Sequence, residues 1–327
     1  MARLAAGLIL ATTGLFVAAL TLGPAQIGPA ESLSALIWGD GGPLTLVMQE
    51  IRLPRAILAV MVGASLGLAG AAMQGYLRNP LAEPGLIGVS GSAALGAVIA
   101  IQTGLAGSFA LGLPAMALSG ALIGVLLVVA LAGPRGASLT LILAGIAISA
   151  LAGALTSLVL NLSPNPFAAN EIVFWMMGSL ADRSMTHVWI ALPFMALGWG
   201  ILATLGRGLD ALTLGEDAAG AVGIGLARLR LMLILGTASV VGAATAVAGV
   251  IGFVGLVVPH ILRPLVGARP SRLLWASALG GAIMVLAADI AVRLLLPARD
   301  LKLGVLTAIV GAPLFLHLIY KTRRQLA

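Results

Sequence analysis

The sequence predicts an all-α integral membrane protein, a bundle of about ten transmembrane helices, and three observations predict it. Hydrophobic side chains make up 60% of the 327 residues and charged ones only 9%, too little polar surface to face water on all sides. The uncharged runs are about 20 residues long, the length an α-helix needs to cross hydrocarbon, whereas a β-barrel would alternate polar lumen positions along short strands. The basic residues, finally, fall unequally on alternate connections, as they do when one side of a membrane is cytoplasmic. Alanine, glycine and leucine dominate the runs, and small residues let transmembrane helices approach closely.

Taken in order, apolar runs bounded by charges or Pro/Gly clusters fall at 4–22, 56–77, 85–104, 113–132, 140–162, 187–206, 229–249, 250–266, 272–294 and 303–320. The eighth is short for a span. With the N-terminus in the cytoplasm, the inner segments hold Arg3, Arg78, Arg135, Arg207, Arg228, Arg230, Arg263, Arg269, Arg272, Lys321, Arg323 and Arg324. The outer ones keep Arg52, Arg55, Arg183, Arg293, Arg299 and Lys302. This positive-inside bias accounts for the net charge of +7 without a nucleic-acid partner, and the even span count returns both termini to the cytoplasm. Arg3, the following apolar run and GPAQIGPA also have the form of a secretory signal, but the run is long for one, and retention is expected. The longest polar breaks, 23–55 outside and 207–228 inside, are too short to fold alone, so residues 1–327 read as one transmembrane domain.

Several chemistries lack their residues. The chain has no cysteine, hence no disulfide, thiolate metal site or cysteine nucleophile. Its two lysines, Lys302 and Lys321, do not follow glycines in a phosphate-cradling loop, so the chain is not an ATPase by that route. Asp289 is the one acid placed inside a span, four residues before Arg293, where a local ion pair is favoured over a proton relay and an ATP-independent secondary carrier gains little support. GVSG at 88–91 offers Ser90, with His260 as a distant base, for an intramembrane protease. In a chain with 43 glycines such a string is better explained by helix contacts. His187, His260 and His317 show no metal-ligand spacing.

The remaining polar residues sit in motifs with local physical readings. In RLPR, Pro54 is expected to break the helix and to set Arg52 and Arg55 at the external mouth of the second span, where they snorkel to headgroups or meet a partner. RNPLAEPG reads as a structural turn in which Pro80 and Pro84 stop helices and Asn79 caps. Gln74, one turn before Arg78, either hydrogen-bonds across helices or lines a path. GVIGFVGLVVPH is glycine-rich before a short helix interrupted by Pro259, a form tolerated where neighbours or a cavity satisfy the freed backbone. In the fifth span Ser149, Thr156 and Ser157 form a polar stripe, with Asn161 beyond it. These line a path or bond back to their own helix.

IRLPR at 51–55, GASLGLAGAAMQGYLRNPLAEPGLIGVSGSAALGA at 63–97, WMMGSL at 175–180, LGEDAAGAVGI at 214–224, GVIGFVGLVVPHILRPLVG at 249–267 and LGVLTAIVGAPLFLHLI at 303–319 together resemble the FecCD-type permeases, membrane subunits of ATP-binding-cassette importers for iron chelates, haem and vitamin B12. The resemblance implies a type II importer fold with inverted repeats, spans two to five answering seven to ten. It implies a homodimer with the path between the copies, a periplasmic substrate-binding protein outside and a pair of ATPase subunits inside that use ATP and Mg. No catalytic residue, metal or cofactor is implied for this chain. It makes Arg52, Arg55 and Arg293 receivers for carboxylates of the binding protein. A ferric siderophore is the first expected substrate, cobalamin the alternative and haem the third.

LTLGEDAAGAVGI falls in the inner break between spans six and seven. Glu216 and Asp217 after Gly215 read as acids in the first turn of a short helix, favoured there by the macrodipole, with Ala218 and Ala219 leaving it narrow. The resemblance implies that Leu214, Gly215, Glu216, Asp217, Ala218, Ala219 and Gly223 form the coupling helix that the ATPase grips. A capped surface loop is the plainer alternative.

Overall fold

The computed structural model describes residues 1–23, 27–39, 41–109, 111–133, 138–295 and 301–326. Arg135 and Arg299 lie outside them, as do the side chains of Lys321, Arg323 and Arg324. The described residues are helical and contain no strand.

The first half runs through α1 (Ala2–Thr21), α2 (Pro29–Trp38), α3 (Pro43–Leu46), α4 (Leu53–Tyr76), α5 (Val89–Gln102), α6 (Leu105–Ser108), α7 (Gly112–Ala132) and α8 (Ser138–Asn161). The second comprises α9 (Pro166–Met176), α10 (Met185–Thr204), α11 (Gly206–Leu212), α12 (Glu216–Ala221), α13 (Leu226–Ala248), α14 (Val254–Leu262), α15 (Pro270–Leu295) and α16 (Leu303–Leu326). Among the described residues seven helical stretches are long and apolar enough to cross a membrane, while α5 and the first part of α16 are apolar but shorter.

Three local expectations change. Pro54 does not end the helix: a π-helical turn at Val47–Arg52 precedes it, and proline sits in the first turn of α4, where its missing N–H costs nothing. The third and eighth spans are half-helices. α5 has 14 residues and follows a 3₁₀ turn at Pro84–Ile87; α14 has only nine. A further helix, α9, lies between the fifth and sixth spans. It starts at Pro166, and the Asn165 side chain accepts the Phe167 N–H at 3.0 Å.

A repeat is visible in the packing. Exchanging α4, α5, α7 and α8 for α13, α14, α15 and α16 maps contacts onto contacts: α4 packs on α14 and α15 as α13 packs on α5 and α7, and α5 meets α7 and α8 as α14 meets α15 and α16. At the centre the backbones touch. Gly63 and Gly67 of α4 face the carbonyls of Gly281 and Ser277 on α15, and Gly70 faces Gly255 O on α14, with no room for a Cβ. Such contact draws on dispersion and backbone proximity, the forces that remain when lipid is as apolar as the protein.

Candidate functional site

Among the buried charged side chains, Arg52, Arg230 and Arg293 close helix ends, where four carbonyls lack intrahelical partners. Where α1 finishes, Arg52 donates from Nη1 to Leu20 O at 2.9 Å and Thr21 O at 3.1 Å. Arg293 donates from Nη1 to Ala19 O at 2.9 Å and Leu22 O at 3.1 Å. Asp289, fully buried, joins both neighbours: its Oδ1 meets Arg55 Nη2 at 2.9 Å and its Oδ2 meets Arg293 Nη2 at 3.0 Å. The Asp289–Arg293 pair is therefore the ion pair read from the spacing, extended by Arg55.

This network corrects the picture of three arginines standing at an open mouth. Arg52 is 5% exposed and Arg293 9%; main-chain carbonyls engage both guanidiniums and Asp289 engages that of Arg293, because a desolvated cation needs acceptors. Arg55, with 16% of its side chain exposed, is the member that still reaches the surface. Arg230, also buried, closes the end of α7 in the same way through Gly133 O at 3.1 Å.

The second half-helix, α14, packs on α4 and against the turn before α5, where a Cβ on Gly255 would stand 2.7 Å from Pro84. Gln74 is fully buried, donates from Nε2 to Leu256 O at 3.1 Å and accepts Arg263 Nη2 at 2.8 Å. Of the two roles open to it, the fold realises the bond across helices, and Gln74 leaves the set of path residues. Glu83, unremarked in the sequence, accepts the Phe253 N–H at 3.0 Å and so caps α14 from a distant segment. Phe253 takes φ +67°, a strained value for an aromatic residue. Asn79 accepts the Leu81 N–H at 2.9 Å, the turn expected of RNPL.

The polar stripe of the fifth span divides. Thr156 is 5% exposed and Ser149 half-buried beside Gly91 of α5, whereas Ser157 is exposed and its hydroxyl bonds back to Gly153 O at 3.0 Å. Only Ser157 of the three lies on the open face of α8. In the GVSG string Gly88 adopts φ +76° to start α5 and Gly91 lies against α8, so both glycines have packing reasons. His187 accepts the Ser184 N–H at 3.2 Å and caps α10.

The 207–228 segment folds as two short helices. Gly215, at φ +108°, starts α12, and Glu216 and Asp217 occupy its first turn. Its end is a Schellman motif: Gly223, at φ +84°, donates to Gly220 O at 2.9 Å and Ile224 donates to Ala219 O at 3.0 Å. Ala219 is fully buried and seats α12 on its own chain; Ala218 is half-buried. Facing outward are Leu214 at 79% exposure, Val222 at 69%, and both acids. Two large apolar side chains thus stand out beside paired carboxylates on this knob.

Comparison with known proteins places this architecture. A model of the FecCD transport family matches residues 9–321. The Bacillus subtilis (strain 168) ABC transporter permease YvrB is 39% identical over 301 residues, 90% of this chain and 84% of that one. The vitamin B12 import system permease BtuC of Salmonella paratyphi A is 40% identical over 310 residues, covering 93% and 91% of the two chains. The Fe(3+) dicitrate transport permease FecD of Escherichia coli (strain K12) is 37% identical over 286 residues, 88% and 89%. A solved inward-facing structure described as a metal-chelate type ABC transporter superposes with a TM-score of 0.86 at 34% identity, over 98% of this chain and 100% of that one. The family match, the relatives and the shared fold agree: the chain belongs to the FecCD transport family and is a membrane-spanning ABC transporter permease.

Proposed function

We propose that this chain is the permease subunit of an ATP-driven importer that carries a metal chelate across the cytoplasmic membrane, working as a homodimer with two ATPase subunits and a periplasmic binding protein. The observation that carries the reading is α12. A six-residue helix fixed at both ends by glycine geometry is seated on the bundle by Ala219 and holds Leu214 and Val222 out on its other side, a shape that fits a cleft in a cytoplasmic partner. The partner supplies ATP and Mg; this chain binds no cofactor and breaks no bond. The excess of basic residues on the segments facing α12 supports both termini lying inside.

Arg55 is the arginine left to meet a carboxylate of the binding protein, while Arg52 and Arg293 hold the scaffold behind it. Paired charges at such a reversible contact set encounter rate and register. ATP binding and hydrolysis then shift the dimer between outward- and inward-open states through differential contacts at α12.

A ferric chelate is the first substrate and cobalamin the second, the latter favoured by the 40% identity to a vitamin B12 permease over 93% of the chain. The test is the chain co-reconstituted in proteoliposomes with the ATPase and binding protein encoded beside it, assayed for uptake of ferric siderophores, cobalamin and haem. ATP-dependent uptake of one of them is expected. Uptake by the permease alone down an ion gradient would overturn the reading in favour of a secondary carrier.

A further inference from the structure

A force on α12 has to leave it through a joint, since α12 touches the bundle only through α11 and the beginning of α13 among its main contacts. α11 in turn packs on α4 and α15. The polar part of that contact is Asp210. Its Oδ1 accepts the Ser271 N–H at 2.8 Å, and its Oδ2 accepts the Ser271 hydroxyl at 2.7 Å and Arg269 Nε at 2.8 Å. α15 has no acid in its own first turn, so Asp210 supplies the N-terminal cap from another segment, where both the orphan N–H groups and the macrodipole favour an anion.

The apolar part is equally close. A Cβ on Gly206 would stand 3.1 Å from Ser271 Cβ, and Leu209 and Pro270 both close over Gly75 of α4. Beyond the joint α15 runs for 26 residues with its only proline at the first position, an element of roughly 39 Å at 1.5 Å per residue. Midway it lies backbone to backbone against α4 at Gly63, Gly67 and Gly281, with no room for a Cβ. Near its far end Asp289 ties it to Arg55 and Arg293, and through Arg293 to the end of α1. One carboxylate thus fastens each end of the same helix.

We propose that Asp210 is the positioning residue that couples α12 to the α4–α15 pair, so that α15 carries a displacement of α12 to the Asp289 network at the opposite end of the bundle. This rests on α12 being the coupling helix of an ATP-driven importer. It goes further in naming the single joint and the helix that transmit the motion.

The test uses the assembled complex of permease, ATPase and binding protein in proteoliposomes and reads substrate moved per ATP hydrolysed. In Asp210→Ala that ratio should fall by about tenfold, with ATPase subunits still co-purifying and ATP still hydrolysed. The chain has no cysteine, so Gly206→Cys and Ser271→Cys added to Asp210→Ala place a unique pair within disulfide reach. Oxidation should bring the ratio back toward wild type and a reductant should abolish it again, a reversible rescue that a merely structural role would not produce. A wild-type ratio in Asp210→Ala overturns the proposal, as does an oxidised triple variant, its disulfide confirmed by mass spectrometry, whose ratio does not respond to reductant. Where Asp210→Ala alone fails to assemble, the triple variant purified oxidised carries the same two outcomes. Absence of ATP-dependent uptake in the wild-type complex would instead sink the importer reading itself.

Discussion

At the end of the bundle where α1 finishes, Arg52, Arg293 and Asp289 are folded inward and take their partners from the chain itself. At the other end Glu216 and Asp217 face outward with Leu214 and Val222, anchored only by what lies beneath them. In sequence both clusters suggest contact surfaces: paired arginines beside a proline read as an external mouth, and the adjacent acids as the first turn of a short helix for a partner to grip. The difference teaches that in a chain this poor in charge an ion is first of all a means of closing helix ends, because an unpaired main-chain group in hydrocarbon is expensive. A charge that remains outward after those ends are closed is the one free for a partner.

The largest expected effect tests the inward cluster. Asp289→Ala leaves two guanidiniums without their shared carboxylate and should destabilise the protein by about 3–5 kcal/mol, seen as a lower unfolding temperature in detergent and poor yield. An unchanged unfolding temperature would break the comparison. Next, Arg293→Ala and Arg52→Ala each orphan carbonyls at the end of α1 and should cost about 1–3 kcal/mol. The measurement that sharpens the point sets unfolding temperature beside binding-protein affinity: scaffold residues lower both, whereas a pure docking residue lowers affinity alone, as expected for Arg55 only in part.

At the α12 end the effects divide by face. Ala219→Leu overfills a seat with no free space and should cost about 1–3 kcal/mol while also uncoupling ATP hydrolysis. Leu214→Asp and Val222→Asp should change stability by no more than about 0.5 kcal/mol yet release the ATPase subunits during purification. Retention of those subunits would remove the knob from the interface. The smallest effect is electrostatic. Burial pushes the Asp210 carboxyl up, but the Ser271 N–H, Arg269 and the Ser271 hydroxyl together pull it below the usual carboxylate range. The unfolded chain therefore binds the proton more readily, so the stability from this joint is fully present above about pH 4 and fades as pH falls through the lowered folded value. The difference in unfolding temperature between wild type and Asp210→Asn should narrow on acidification, by a small margin because the group is partly exposed and screened.

Much of the fold was legible because hydrocarbon length is written locally: the spans at 4–22, 113–132, 140–162, 229–249 and 272–294 coincide with α1, α7, α8, α13 and α15 within a few residues. The half-helices were less so. Pro84 and Gly88 divide the third span, but contact with α7, α8 and α13 decides that the 3₁₀ turn and α5 sit where they do. α9 was missed although its signal was present, an asparagine followed by proline at the first helical position. At the candidate site α12 was readable down to its caps, since glycine and acid positions act within one turn. The roles of Arg52, Gln74 and Glu83 were not, since their partners lie 32, 182 and 170 residues away, and composition holds no record of which distant carbonyl or N–H a side chain will reach.

The cap on α14 bears on how the protein is made. Nine residues cannot cross hydrocarbon, so α14 has no stable place in lipid as it leaves the insertion machinery. The carboxylate that closes its first turn belongs to Glu83, synthesised 170 residues earlier, and the backbone it leans on belongs to Gly70 of α4. α14 therefore takes both its cap and its backing from residues translated before it.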